Sequence, residues 1–297
     1  MVTSTYTSRQ LQNREVRVEW ISNAARHGRI CIVCGAGISL KFDVPSWPKL
    51  IAALGGKSVL DAKDGNTTWE HSLEEFVAKR FSGDYMAFSK KVKTVLYKKR
   101  NPNWHKIGVH PDMEALALFC MYLRRHRQVA IISFNYDSYL EEFFLRRGLS
   151  VLPHTEPSEP YPEADVVISH PHGYLPYGND SENGRQPVVL DQRRYMESRR
   201  RQDWWDSCSK FMTDNLCIFI GLSGRCPNLD FLAIEAQRKH SVKPGNRFWG
   251  VALTKNGDRS AIGYWERRGI FGLPVGVMYE KIPDVYSDIL EGIARAG

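Results

Sequence analysis

No stretch of this 297-residue chain approaches the roughly 20 consecutive apolar residues that a membrane-spanning helix needs. The opening residues, Met1-Val2-Thr3-Ser4-Thr5-Tyr6, have no apolar core of the kind a secretory signal carries. The expectation is a cytoplasmic protein. Internal repeats and low-complexity segments are missing too, which excludes solenoids and collagen-like or linker-like chains. Cysteine is sparse, with six in all. Cys31-x-x-Cys34 has the spacing of half a zinc ribbon, but no second Cys-x-x-Cys exists to complete the ligand set. The pair also falls inside a predicted strand. These are read as core thiols of a reducing compartment, and no metal is expected.

What is present is ordinary for a globular protein: 42% hydrophobic and 25% charged residues, in a chain long enough to bury a sizeable core. The net charge of +8 is concentrated in Lys90-Lys91, Lys93, Lys98-Lys99-Arg100, Arg193-Arg194 and Arg199-Arg200-Arg201. Such runs usually form solvated helix faces. The sharper alternatives are steering of an anionic ligand and an interface with an acidic partner. With no helix-turn-helix or aromatic-studded module, direct nucleic-acid binding is not expected.

Four short apolar strands each end in polar residues. Ile30 to Cys34 runs into Gly35-Ala36-Gly37-Ile38-Ser39, a Gly-x-Gly turn that lets the backbone turn sharply and approach a pyrophosphate. Ala130-Ile131-Ile132 ends in Ser133-Phe134-Asn135-Tyr136-Asp137. Val166-Val167-Ile168 ends in Ser169-His170-Pro171-His172-Gly173. Cys217-Ile218-Phe219-Ile220 ends in Gly221-Leu222-Ser223, followed by Pro227-Asn228-Leu229. Strands alternate with helices along the chain, so the expected fold is α/β, a doubly wound and mostly parallel Rossmann-like sheet. In such sheets ligands sit at the carboxyl ends of the strands, where these four clusters would converge. Residues 57–111 are polar, lysine-rich and helical in places, and read as a helical insertion within a single domain spanning 1–297. Further helices are expected at 8–28, 113–127, 138–147, 202–215, 229–239 and 286–295. Closing strands are expected at 248–254 and 275–279. No separate sensor domain is expected.

Taken in order, Gly-Ala-Gly-Ile-Ser, Asn-x-Asp, His-Gly and Gly-x-Ser resemble the sirtuin (silent information regulator) family. Pro45-Ser46-Trp47 after the first motif is closer to the sirtuin-like branch of bacterial antiphage defence than to the protein deacylases. The missing zinc module points the same way. The resemblance implies that Asn135 and His172 are the catalytic pair. It also implies that Gly35, Ala36, Gly37, Ser39, Trp47, Gly221, Ser223 and Asn228 contact NAD+, with Asp137 holding the loop or bonding the ribose. In that role Asn135 would orient ribose and water, and His172, with an ordinary pKa of about 6.5, would act as base near neutral pH. The bland alternatives are that Asn135 caps a helix starting near Tyr136, and that His170 and His172 are loop residues or metal ligands. His170 is read as structural, and Trp204-Trp205 as core.

Two positions depart from the pattern. Asp43 stands where Gly is expected, and Cys226 where Asp usually precedes Pro-Asn-Leu. The implied function is an NAD+ glycohydrolase releasing nicotinamide and ADP-ribose, an abortive-infection effector. Its implied activator is a protein partner: an Argonaute, a HerA-type ATPase or a nucleotide-processing subunit in a homo- or hetero-oligomer. The competing classes are an NAD-dependent deacylase or ADP-ribosyltransferase, and a catalytically silent module that senses NAD+ or ADP-ribose.

Overall fold

The computed structural model describes residues 6–54, 69–98, 110–155, 163–178, 188–189, 192–200, 202–222, 226–240, 247–276 and 280–295. Seven strands form one sheet: β1 (Ile30–Cys34), β2 (Val129–Ser133), β3 (Val151–His154), β4 (Val166–Ser169), β5 (Leu216–Ile220), β6 (Gly250–Thr254) and β7 (Ile270–Pro274). Their order is β3-β4-β2-β1-β5-β6-β7, and every paired neighbour is parallel. The apolar runs read from sequence are buried along their whole length in β1, β2, β4 and β5, as strands covered on both faces must be. β1 lies between β2 and β5, so the chain leaves it in one direction and later returns on its other side. That reversal opens a crevice beyond the carboxyl end of β1.

Alternation along β1 divides its side chains between two layers. Ile30, Ile32 and Cys34 join the core that includes Ile21, Leu116, Phe119 and Tyr286. Cys31 and Val33 join the other, built around Trp204, Trp205, Leu232 and Trp265. Residues three apart on a strand point to opposite faces, so the two thiols of Cys31-x-x-Cys34 cannot share a ligand. Both Trp204 and Trp205 are core residues, as their sequence context indicated.

Local rules account for most departures from the sequence reading. The helix expected over 8–28 is two, Ser8–Gln12 and Arg14–Arg26. The break falls at Asn13, whose side chain accepts the amides of Glu15 (2.8 Å) and Val16 (3.3 Å) and so starts a new helix. The last strand is Ile270–Pro274 rather than 275–279; residues 277–279 lie outside the described ones. Hydrogen bonding of β7 to β6 sets that register, and a run of Ile-Phe-Gly-Leu-Pro has no alternation to announce it. Within the insertion, helices Trp69–Phe81 and Tyr85–Leu96 are present, and 57–68 and 99–109 lie outside the described residues. Asp43 adopts φ 60°, the left-handed conformation that glycine would take at no cost and that Asp tolerates better than most residues. The departure at this position therefore preserves the path of the chain.

Glycine 37 is required by packing. A Cβ placed there would lie 2.5 Å from the Cα of Gly221, and one on Gly221 would lie 2.6 Å from the amide of Ile38. The turns after β1 and β5 thus touch backbone to backbone, with the Gly37 amide donating to Gly221 O at 2.9 Å. Gly37→Ala is expected to lower stability by about 2 kcal/mol or more, because the clash is with main chain and cannot relax by a rotamer change. A urea-denaturation midpoint equal to that of the wild type would contradict this account.

Candidate functional site

The ends of β1 and β2 meet through one side chain. Asn135, two residues past β2 and buried, sends its Nδ2 to Gly35 O (3.0 Å) and to Ser39 Oγ (2.8 Å). It does not cap a helix: the following helix is Tyr139–Arg146 with Ser138 at its N-cap position. Ser39 already accepts from Asn135, and its own hydroxyl bonds the carboxyl of Asp137, so the three form a directional chain, Asn135 to Ser39 to Asp137. Asp137 Oδ1 also accepts the Tyr139 amide (3.3 Å). Burial of Asp137 pushes its carboxyl up to about 6, more than the Ser39 and Tyr139 bonds pull it down, with nearby Glu141 adding to the rise.

His172 stands on the neighbouring loop, after β4. It sits three residues past β4, almost fully buried, with its ring edge-on to Phe134 at 4.8 Å between centroids. Its Nε2 lies 3.2 Å from Asn228 Nδ2 and 3.7 Å from Cys226 Sγ, both at the start of the helix Pro227–Lys239. An amide N–H can only donate, so Nε2 is the acceptor and the ring proton resides on Nδ1. Desolvation pulls the ring's pKa down to about 3. This corrects the expectation of an ordinary histidine base: the buried ring is neutral throughout the physiological range, a hydrogen-bond acceptor and a weak base.

The two loops are joined repeatedly. Leu175 N donates to Tyr136 O (2.7 Å) and Val189 N to His172 O (2.8 Å), while the Tyr136 hydroxyl donates to Val189 O (2.7 Å). From the insertion, the Tyr97 hydroxyl accepts the Ser138 amide (3.0 Å) and donates to Leu175 O. A pocket adjoins the other side of the glycine turn, lined by Gly37, Ile38, Ile220 and Gly221 and by Asp112, Met113, Leu116, Ile282 and Tyr286. The Tyr286 hydroxyl on its wall is buried with no hydrogen-bond partner among the described residues.

Of the residues singled out from sequence, Gly35, Gly37, Ser39, Asn135, Asp137 and Gly221 are brought together around the ends of β1, β2 and β5. Asn228 meets His172, and Ala36 opens the short helix Ala36–Ser39. Ser223 and the side chain of Trp47 lie outside the described residues. The space beside Gly35 and Gly37 is filled by Leu222 and Gly221, so these glycines serve contact between the two turns. No group of three or more His, Cys, Asp or Glu residues able to hold a metal occurs among the described residues. No described helix is long and apolar enough to cross a membrane.

Sequence reasoning missed Glu141. His170, read as structural, and Glu141 form a buried pair beneath Asn135. Glu141 follows Asp137 by four residues, which is the only hint the sequence offers. Cys226 is the N-cap of Pro227–Lys239, its Sγ accepting the Leu229 amide at 3.5 Å, a weak cap. Cys226→Asp is expected to stabilise the protein by about 1 kcal/mol through a stronger cap. The new carboxylate would also stand beside His172 Nε2 and raise the ring's pKa from about 3. Thermal melts and an NMR titration of the His172 ring read the two effects; an unchanged titration would place the new carboxylate out of reach of the ring.

Residues 129–271 match the model of the SIR2-like domain. The match begins at the first residue of β2 and ends inside β7, so it contains Asn135, His172 and Asn228 and leaves out the glycine turn. Two solved structures are similar over most of their length. One, from work on the mechanism and regulation of Sir2 enzymes, is 12% identical, with a TM-score of 0.46 and coverage of 94% of this chain and 98% of that one. The other is a Sir2 homologue in complex with NAD, 12% identical, with a TM-score of 0.49 and coverage of 92% and 93%. No curated protein matches the chain in sequence.

Proposed function

We propose that this chain is a sirtuin-like NAD+ glycohydrolase, converting NAD+ and water to nicotinamide, ADP-ribose and a proton. The observation that carries the reading is the buried chain from Asn135 through Ser39 to Asp137 beyond the carboxyl ends of β1 and β2, with His172 on the loop after β4, which is bonded to the loop after β2, inside a segment similar to the SIR2-like domain apart from Ser39. The donor set suits the dinucleotide. Asn135, Ser39 and Asp137 offer polar groups to ribose hydroxyls.

In the reaction the bond between C1′ and the nicotinamide nitrogen breaks, and its electron pair returns to the pyridinium ring. The leaving group departs neutral, so no strong acid is needed. A water oxygen bonds to C1′ and gives up a proton. Asn135, with both Nδ2 hydrogens committed to Gly35 O and Ser39 Oγ, orients ribose and water through Oδ1. Neutral His172 can take a hydrogen bond from a ribose hydroxyl only at Nε2, in exchange for the one from Asn228. Asp137, at about 6, is a better proton acceptor near neutral pH than His172, at about 3, and is linked to Asn135 through Ser39.

Uncontrolled hydrolysis of NAD+ would harm the cell that makes the enzyme, so the reading includes a partner that switches it on, of the Argonaute, HerA-type ATPase or nucleotide-processing kind, in an antiphage role. Chromatography of nicotinamide and ADP-ribose, with the chain alone and with products of neighbouring genes, tests it. Equal amounts of both products, low for the chain alone and raised by a partner, are expected. Release of nicotinamide only when an acceptor protein is added would make it a transferase. Binding of NAD+ without turnover under every condition would make it a sensor.

A further inference from the structure

Beneath Asn135 lies a buried pair that the proposed chemistry does not use. His170 Nε2 is 2.6 Å from Glu141 Oε1, and the two side chains are 1% and 5% exposed. The other ring nitrogen, Nδ1, is 3.1 Å from the main-chain oxygen of Asn135. A carbonyl oxygen only accepts, so Nδ1 carries a hydrogen. Nε2 and Glu141 then share one further proton, as imidazolium with carboxylate or as imidazole with carboxylic acid. In either form the ring is held from both ends. The second carboxyl oxygen, Oε2, is buried without a hydrogen-bond partner among the described residues, so the pair is not an optimised stabilising element.

Its placement has a consequence for the site. His170 belongs to the loop after β4 that carries His172, and Asn135 belongs to the loop after β2. The His170 amide is fixed to His154 O (3.0 Å), its carbonyl accepts from Gly173 (3.0 Å), and Tyr174 packs on its ring at 4.6 Å between centroids. The ring is therefore a rigid strut between two loops, and Glu141 sets its direction from the helix Tyr139–Arg146. We propose that Glu141 and His170 are positioning residues: they clamp the Asn135 peptide and so fix the distance between the Asn135 amide and the His172 ring. The proposal rests on reading Asn135 as a catalytic side chain.

The test uses the full chain with its activator and two variants. Glu141→Gln can donate an amide N–H to a neutral Nε2, leaving Nδ1–H on Asn135 O, so kcat is expected within about threefold of wild type. Glu141→Met has similar bulk but cannot bond the ring. Its kcat is expected to fall by about a hundredfold, the scale on which a displacement of about 1 Å acts, with KM for NAD+ unchanged. Proton NMR gives a readout independent of turnover. The wild type and Glu141→Gln should each show a slowly exchanging imidazole N–H resonance, assigned by its loss in His170→Gln, and Glu141→Met should lack it. Wild-type kcat in folded Glu141→Met, or no such resonance in the wild type, overturns the clamp. If the wild type releases no nicotinamide under any condition, the functional reading falls. The clamp is then judged on the resonance: its persistence in Glu141→Met overturns it, and its selective loss upholds it.

Discussion

Asn135→Ala and His172→Ala are each expected to reduce nicotinamide release by about a hundredfold or more, through lost positioning of the ribose and the water. The two losses should differ in character. Asn135 is tied to Gly35 O and Ser39 Oγ, so its removal also loosens the joint between β1 and β2 and leaves a buried carbonyl without that donor. A destabilisation of about 1 to 3 kcal/mol is expected alongside the catalytic loss. His172 is packed against Phe134 and bonded by Asn228, and its truncation opens a cavity at the start of Pro227–Lys239. Both assays belong at a temperature where melting curves show the variant fully folded. Wild-type turnover by either folded variant, under conditions where the wild type is active, would remove that residue from the mechanism.

How far the site was legible in the sequence follows from which forces fix each part. Strands buried on both faces announce themselves as short apolar runs, and their polar ends follow from the parallel topology; that puts Asn135, His172 and Gly221 at strand ends, while the roles expected of them come from the resemblance to the sirtuin family. The reason for Gly37 was not visible, because the group that excludes a side chain there is Gly221, nearly two hundred residues further along the chain. The basicity of His172 was misjudged for a related reason. A sequence gives the ordinary pKa of a ring, whereas the shift comes from burial by Phe134 and by a helix start at positions 226–228. Glu141 and His170 are 29 residues apart and share no motif, so only the fold pairs them. Strand β7 was displaced by five residues because its register is set by hydrogen bonds to β6, and its own pattern offers none.

The other large effect is expected at Asp137. Its carboxyl is buried and titrates at about 6 in the folded chain, against 3.8 for the ordinary group. Between those values the unfolded chain has lost the proton and the folded chain still holds it. The contribution of this carboxyl to stability therefore falls as pH rises from about 3.8 to about 6, and is level above that. The separation corresponds to roughly 3 kcal/mol of destabilisation at pH 7 from keeping this carboxylate charged and buried. Asp137→Asn removes the charge and retains one oxygen to accept from the Tyr139 amide. The variant is expected to be more stable than the wild type by roughly 2 to 3 kcal/mol at pH 7, and nearly equal to it below pH 4. Activity should move the opposite way, falling by about a hundredfold or more, because the proton acceptor linked through Ser39 to Asn135 is gone. A buried charge that lowers stability while serving the chemistry is the pattern a strained functional site shows. Urea denaturation of both proteins at pH 4 and pH 7, with nicotinamide release at pH 7, measures the two effects. If the stability difference between them is the same at both pH values, Asp137 is not held near 6 in the folded protein; if the stabilised variant keeps full turnover, its carboxylate is not the proton acceptor.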